Sequence, residues 1–136
     1  AEYLDLFAVW ASLLRPATVA MFDHGRTLGQ DAIARGRESM HRFRARMHDW
    51  FDAAGIDALV FPAAPGPAPA GLAWTGDPSM NIPWTHAGLP CLGLPIGHEP
   101  ASGGALPLSV QLIGRYGEDE KLFGIGQAFE ALFGRR

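Results

Sequence analysis

The groups in this chain that can serve as base, nucleophile or metal ligand near neutral pH are few. They are five histidines, one cysteine and one lysine, Lys121. A serine becomes a useful nucleophile only with a base in reach of its hydroxyl. Lys121 follows Glu118, Asp119 and Glu120, and such neighbours favour the ammonium form, whereas a base must be deprotonated. No serine adjoins another, and Ser102-Gly103-Gly104 has the composition of a turn. The expectation is therefore that no serine here has a base poised to take its proton. Cys91 and His86 form an imaginable thiolate pair, but a reactive thiol needs an electropositive, partly open setting. Cys91 lies in the apolar run Cys91-Leu92-Gly93-Leu94, so a buried structural cysteine is expected instead. No histidine pair has the His-Glu-x-x-His spacing of a zinc hydrolase. His41 and His48 share a helix face without an acidic companion at ligand spacing, and read as solvated side chains. Gly124-Ile125-Gly126 follows a charged helix start rather than a strand and lacks a third glycine, which excludes a dinucleotide turn. Arg42, Arg44 and Arg46 are diluted by Glu38, Asp49 and Asp52, so a mixed solvated face is favoured over a phosphate site.

What remains is the stretch from Leu72 to Ala87. It holds Trp74, Thr75, Asp77, Trp84 and Thr85, a mixture neither helical nor alternating. It reads as a long irregular loop, and long loops in compact domains are often functional. Flat apolar contact from Trp74 and Trp84 with polar contact from Thr75, Asp77 and Thr85 is the usual make-up of a pocket. Each residue also has a structural reading. Trp84 is equally suited to a core, and Asp77 before Pro78-Ser79 is first of all a turn or helix cap.

The elements that must position this loop follow from periodicity. Leu4, Phe7, Ala8, Ala11 and Leu14 have helical spacing, with Pro16 expected to end or kink that helix and Asp23-His24-Gly25 to break the chain. A long helix follows, with an apolar stripe of Ile33, Met40, Met47 and Ala54 plus Gly36, Phe43 and Trp50, stopped at Gly55 by a left-handed cap. The heptads are too few to favour a coiled coil over core packing. Ala58 to Phe61 reads as a strand buried on both faces and closed by Pro62. The Ala-Pro-Gly segment from Pro62 to Gly71 is either a flexible linker or an extended piece stiffened by Pro65, Pro67 and Pro69. Cys91 to Pro95 and Leu108 to Ile113 read as two further strands in a loose antiparallel pair. A last helix, about Glu118 to Phe133, turns Leu122, Ile125, Phe129 and Leu132 or Phe133 inward. Acidic residues occupy its start and Arg135 and Arg136 follow its end, with Gly134 a plausible cap.

Length and composition bound the rest. A chain of 136 residues fits one domain. Its 18% charged residues fall below the usual value of about 25%, which points to large burial or a missing partner surface. A net charge of -3 gives no field toward nucleic acid or anionic lipid. No apolar run approaches a membrane span, since Arg15 and Pro16 interrupt the first candidate. One cysteine and no leader pattern fit a reducing, cytoplasmic setting.

The order of these elements resembles the C-terminal portion of the amidase-signature family. The resemblance is carried by Asp57-Ala58-Leu59-Val60-Phe61-Pro62, by Thr75-Gly76-Asp77, and by Pro83-Trp84-Thr85-His86-Ala87-Gly88-Leu89-Pro90. It continues through Leu94-Pro95-Ile96-Gly97 and Leu106-Pro107-Leu108-Ser109-Val110-Gln111-Leu112-Ile113-Gly114, and covers Asp57 to Phe133. Relatives often carry Asn where Thr85 stands. The resemblance implies an α/β fold, a mixed sheet flanked by helices, with residues 1–56 mainly helical and 57–136 strand-rich. It implies a parent enzyme that hydrolyses carboxylic amides without a cofactor, through a serine relayed by a second serine in a cis peptide to a lysine. It places those residues upstream of the segment seen here, so this chain alone is expected to be inactive. Its expected partners are the missing N-terminal part of the amidase, a small amide substrate and, through uncovered apolar surface, a second copy of itself. Two alternatives stay open: a non-catalytic binding or assembly module, and an esterase-type parent, since one acyl-transfer site can cleave either bond.

Overall fold

A computed structural model describes residues 9–99 and 104–133 of the chain. It divides into two units, residues 1–38 and 39–136. The boundary falls inside a long helix.

In the first unit a short 3-10 turn spans Ala11–Leu13, and helix α1 spans Pro16–Thr27. The helical stretch ahead of it stops at Leu13, so Pro16 interrupts that stretch as expected, and it also opens the next helix. At the first helical position the missing N–H has no intrahelical acceptor to lose, and the fixed φ suits the helix. Asp23-His24-Gly25 lies within α1 instead of breaking the chain. Arg26 donates to the Asp23 carboxylate at 3.2 Å and the Thr27 hydroxyl to the His24 carbonyl at 2.7 Å, which holds the last turn closed. The expected residues Leu4, Phe7 and Ala8 lie outside the described residues.

Helix α2 spans Gln30–Ala54 and ends at Gly55, whose φ of 62° is the left-handed cap expected. The buried stripe is turned relative to the heptads. Met40, Phe43 and Met47 are half-buried and Phe51 is fully buried, whereas Gly36, Trp50 and Ala54 are exposed. A straight helix drifts by roughly 20° per heptad, so the inward row after Met47 passes to Phe51.

Three strands follow, β1 Leu59–Pro62, β2 Cys91–Glu99 and β3 Leu106–Ile113, in the spatial order β1-β3-β2 with both pairings antiparallel. Leu59 faces Ile113 across β1 and β3, and Cys91 faces Ile113 across β2 and β3, with a bulge between Pro95 and Gly97. Residues 100–103, which hold most of the expected Ser-Gly-Gly turn, lie outside the described residues. Strand β1 is not buried on both faces as its apolar run suggested. It is an edge strand among the described residues, with Val60 and Phe61 exposed, and Pro62 is tolerated there because an edge requires no donor on its outer side.

Two helical layers enclose the sheet. The residues of β3 alternate between them. Ile113 packs with Trp84, Ala87 and Leu89, against which Phe43, Met47 and Leu59 lie. Leu112 packs with Leu94 and Leu122, joined by Leu92, Val110, Ile125 and Phe129. Leu122, Ile125 and Phe129 come from helix α4, Asp119–Phe133, and face inward as their spacing required. Leu132 is exposed, and Gly134, Arg135 and Arg136 lie outside the described residues. Gly126 sits against Leu92, a close approach that explains a glycine inside this helix better than a nucleotide turn does. The α/β class is therefore as expected, with helices on both faces of an antiparallel three-stranded sheet.

Candidate functional site

A cleft of ≈ 700 Å³ opens at one end of β3. Its walls are the Ala-Pro-Gly segment 63–69 on one side and residues 74–78 with Asn81 on the other, and its floor is residues 107–109. The volume lies in the range of roughly 300–1,000 Å³ typical of small-molecule pockets.

Short polar contacts fix these walls to the sheet. The Ala63 N–H donates to the Ser109 carbonyl at 3.1 Å. The Asn81 side-chain amide reaches the Ala63 carbonyl at 3.4 Å. Gln111 is the one buried polar side chain among the described residues, at 3% exposure. Its amide nitrogen donates to the Pro62 carbonyl at 2.9 Å and to the Met80 carbonyl at 2.8 Å. A primary amide offers two donors, so Gln111 clamps the end of β1 to the turn before the next helix. The Pro-rich segment is thus a wall rather than an interdomain linker.

Of the five residues singled out in the loop, three meet in the cleft. Trp74, Thr75 and Asp77 line it, and the Trp74 ring is 61% exposed. The Asp77 carboxylate accepts from the Ser79 N–H at 2.8 Å and caps a 3-10 turn, Pro78–Met80. Its turn role is therefore real, and it still borders the cleft. Trp84 belongs to the core at 8% exposure, edge-on to Phe61 with ring centroids 5.5 Å apart. Thr85 is exposed on helix α3, Ile82–Ala87, and does not line the cleft. Helix α3 was not expected. It has Pro83 in its first turn and only six residues, too few for a period to show. It ends at Gly88, whose φ of 68° is left-handed. Arg44 from α2 donates to the Ala87 carbonyl at 2.7 Å and lies 3.5 Å from the Tyr116 ring centroid. Arg44 thus packs against its neighbours, and Arg46 lies 5.9 Å from the Phe43 ring centroid on an exposed face.

Asn81, Ser109 and Gln111 were not singled out as site residues. Gln111 carried a signal: a glutamine in an otherwise apolar strand demands partners.

The other groups with chemistry lie away from the cleft. Lys121 Nζ is 2.7 Å from Asp57 Oδ1 and 3.4 Å from Glu118 Oε2. The hydrogen bond to Asp57 leads in raising the Lys121 ammonium above its ordinary 10.5, and the same bond leads in holding Asp57 below 3.8. Cys91 is exposed, not buried as its apolar neighbours suggested, because β2 is the other edge of the described sheet. Local burial of its thiol still raises it above 9.0, and the thiol donates weakly to the Leu89 carbonyl at 3.7 Å. His86 does not pair with Cys91. Its Nε2 lies 3.3 Å from the Ser39 hydroxyl, which corrects the expectation that no serine has a base in reach. This contact lacks the rest of an acyl-transfer site. Ser39 lies inside α2, where backbone N–H groups are taken by carbonyls four residues back and cannot receive an oxyanion. Among the described residues no cluster of three or more His, Cys, Asp or Glu is placed to hold a metal. No described helix is long and apolar enough to cross a membrane.

The amidase family model matches residues 4–123. The chain belongs to the amidase family. An indoleacetamide hydrolase of Allorhizobium ampelinum is 31% identical over 109 residues, covering 67% of this chain and 22% of that protein. A glutamyl-tRNA(Gln) amidotransferase component of Synechococcus is 38% identical over 89 residues, covering 59% and 18%. Its counterpart in Xanthobacter autotrophicus is 37% identical over 98 residues, covering 66% and 19%. The chain thus spans about a fifth of the length of these relatives.

Proposed function

We propose that this chain forms one wall of the substrate cleft of an amidase whose catalytic residues lie outside it. The parent hydrolyses carboxylic amide C–N bonds, with a serine, a cis-linked second serine and a lysine as its machinery. The observation that carries the reading is the family match over residues 4–123 combined with a cleft holding Trp74, Thr75 and Asp77. Trp74 offers a flat apolar face to the substrate, and Thr75 offers a hydroxyl that both donates and accepts. Trp84 supports the cleft from the core, and Thr85 stands outside it. The partner is the remaining portion of the amidase, and the substrate is a small amide, in keeping with the first relative's name.

The test is turnover. The chain alone, incubated with aryl and aliphatic amides, should release no ammonia or amine. Mixed with an amidase lacking the matching segment, it should restore release. Turnover by the chain alone that Ser39→Ala abolishes would overturn the reading. A second reading, self-association, rests on Val60 at 51% and Phe61 at 39% exposure on the edge strand. Sedimentation velocity at rising concentration reports it, and a monomer throughout excludes it.

A further inference from the structure

We infer that the cleft acts as a charge filter that holds a neutral amide and expels the carboxylate made from it. The inference rests on the reading of the cleft as an amide site. Hydrolysis adds water across the C–N bond. The acyl carbon gains the hydroxyl oxygen, and the nitrogen leaves with a proton as ammonia or amine. The acid then loses a proton to solvent, so the acyl product carries one negative charge that the substrate lacked. Substrate and product share a shape and differ in one unit of charge and in the amide's N–H donors.

Among the described residues lining the cleft, one side chain carries a formal charge, Asp77, and none is Lys, Arg or His. The remaining lining is Ala, Pro and Gly with Trp74, Thr75, Asn81, Leu108 and Ser109. Among the described residues of this wall no cationic side chain is present to bind a carboxylate, and the Asp77 carboxylate repels one. Its position is not free to swing away, because Oδ1 is held by the Ser79 N–H at 2.8 Å. The Trp74 face and the proline wall grip the apolar body of substrate and product alike. Among the described lining residues, discrimination by charge therefore falls to Asp77. In an open cleft, where water screens the interaction, a single unit charge at contact distances separates the two ligands roughly three- to ten-fold.

The experiment titrates the full chain with phenylacetamide and with phenylacetate, two ligands of one shape that differ by one charge. The readout is the indole N–H resonance of Trp74, assigned with Trp74→Phe. Phenylacetate should bind roughly three- to ten-fold more weakly than phenylacetamide, and the ratio should fall below about two in 1 M salt, where the Debye length is about 3 Å. Asp77→Asn keeps the cap, because its side-chain carbonyl also accepts from an N–H, and should bring the two ligands within two-fold of each other. Equal binding by the wild-type chain, or a ratio that Asp77→Asn leaves unchanged, overturns the filter and leaves the cleft reading standing. No shift at Trp74 with either ligand overturns both.

Discussion

Replacing Gln111 by leucine tests the idea that one buried amide holds the cleft together. The leucine fills most of the same volume but donates nothing. Two hydrogen bonds, at 2.9 Å to the Pro62 carbonyl and 2.8 Å to the Met80 carbonyl, are lost together. A net hydrogen bond contributes about 1 kcal/mol, and a buried carbonyl left without a donor costs about 1–3 kcal/mol. Pro62 is exposed and Met80 half-buried, so water takes over part of the loss. The expected destabilisation is therefore about 2–3 kcal/mol, at the lower end of the summed range. For a unit the size of residues 39–136 this lowers Tm by roughly 8–24 °C. Gln111→Glu should be worse than leucine, because it points an acceptor-only carboxylate at two carbonyls. Chemical denaturation gives the free energies, and amide exchange at Met80 and Asn81 should quicken more than exchange in α4. A leucine variant within about 0.5 kcal/mol of wild type, well under one net hydrogen bond, or a glutamate variant no worse than leucine, would refute the clamp.

Gly88→Ala should cost more than Gly55→Ala, although both glycines have left-handed φ, at 68° and 62°. A Cβ at position 88 would meet Arg44 Nη2 at 2.9 Å, whereas at 55 nothing lies within 4 Å. Each should lose about 1–2 kcal/mol from backbone strain, with an added loss at 88 that disappears in an Arg44→Ala background, measured as a double-mutant cycle. The Lys121–Asp57 pair should appear in the pH profile. The lowered Asp57 carboxyl stabilises the fold above about 3.8 and loses that contribution as pH falls through its folded value. The raised ammonium stabilises fully below 10.5 and is lost as pH climbs through its own folded value. Lys121→Met should return the Asp57 carboxyl toward 3.8 in a carbon-detected titration. The Cys91 thiol should alkylate with a midpoint above pH 9.0, since burial disfavours its thiolate. A midpoint below that value would show an activating partner.

What the sequence made legible was whatever repeats or punctuates locally. Helix α4 announced itself through Leu122, Ile125 and Phe129, and the end of α2 through Gly55. Strands β2 and β3 were visible as short apolar runs, although β2 continues past Pro95 to Glu99. The exposure of β1 was not, because four apolar residues look the same at an edge as in the middle of a sheet. Pro16 interrupts the first helical stretch as its type suggested, but that it also opens the next helix was not legible, because proline breaks a helix from inside and favours one at its first position. Trp74, Thr75 and Asp77, singled out by type and neighbourhood, line the cleft. Trp84 and Thr85 fell outside the cleft because the unforeseen helix α3 turns one into the core and the other to the surface. The contacts that decide the site were invisible for a simpler reason. Gln111 reaches partners 49 and 31 positions away, and Ser39 meets His86 across 47. No local period encodes pairs so far apart.

Every wall of the cleft is tied to strand β3. Residues 107–109 belong to it, Ala63 hangs from the Ser109 carbonyl, and Gln111 holds both the end of β1 and the turn before α3. Strand β3 is in turn the middle strand, paired on both sides and packed on both faces. A cleft wall suspended from the best-supported strand keeps its shape through the sheet's own core. That support allows ligand preference to be measured on this chain apart from turnover. It also predicts the order of failure: damage to the Leu112–Leu94–Leu122 cluster, on the opposite face of the sheet from α3, should loosen the cleft as surely as damage to Gln111.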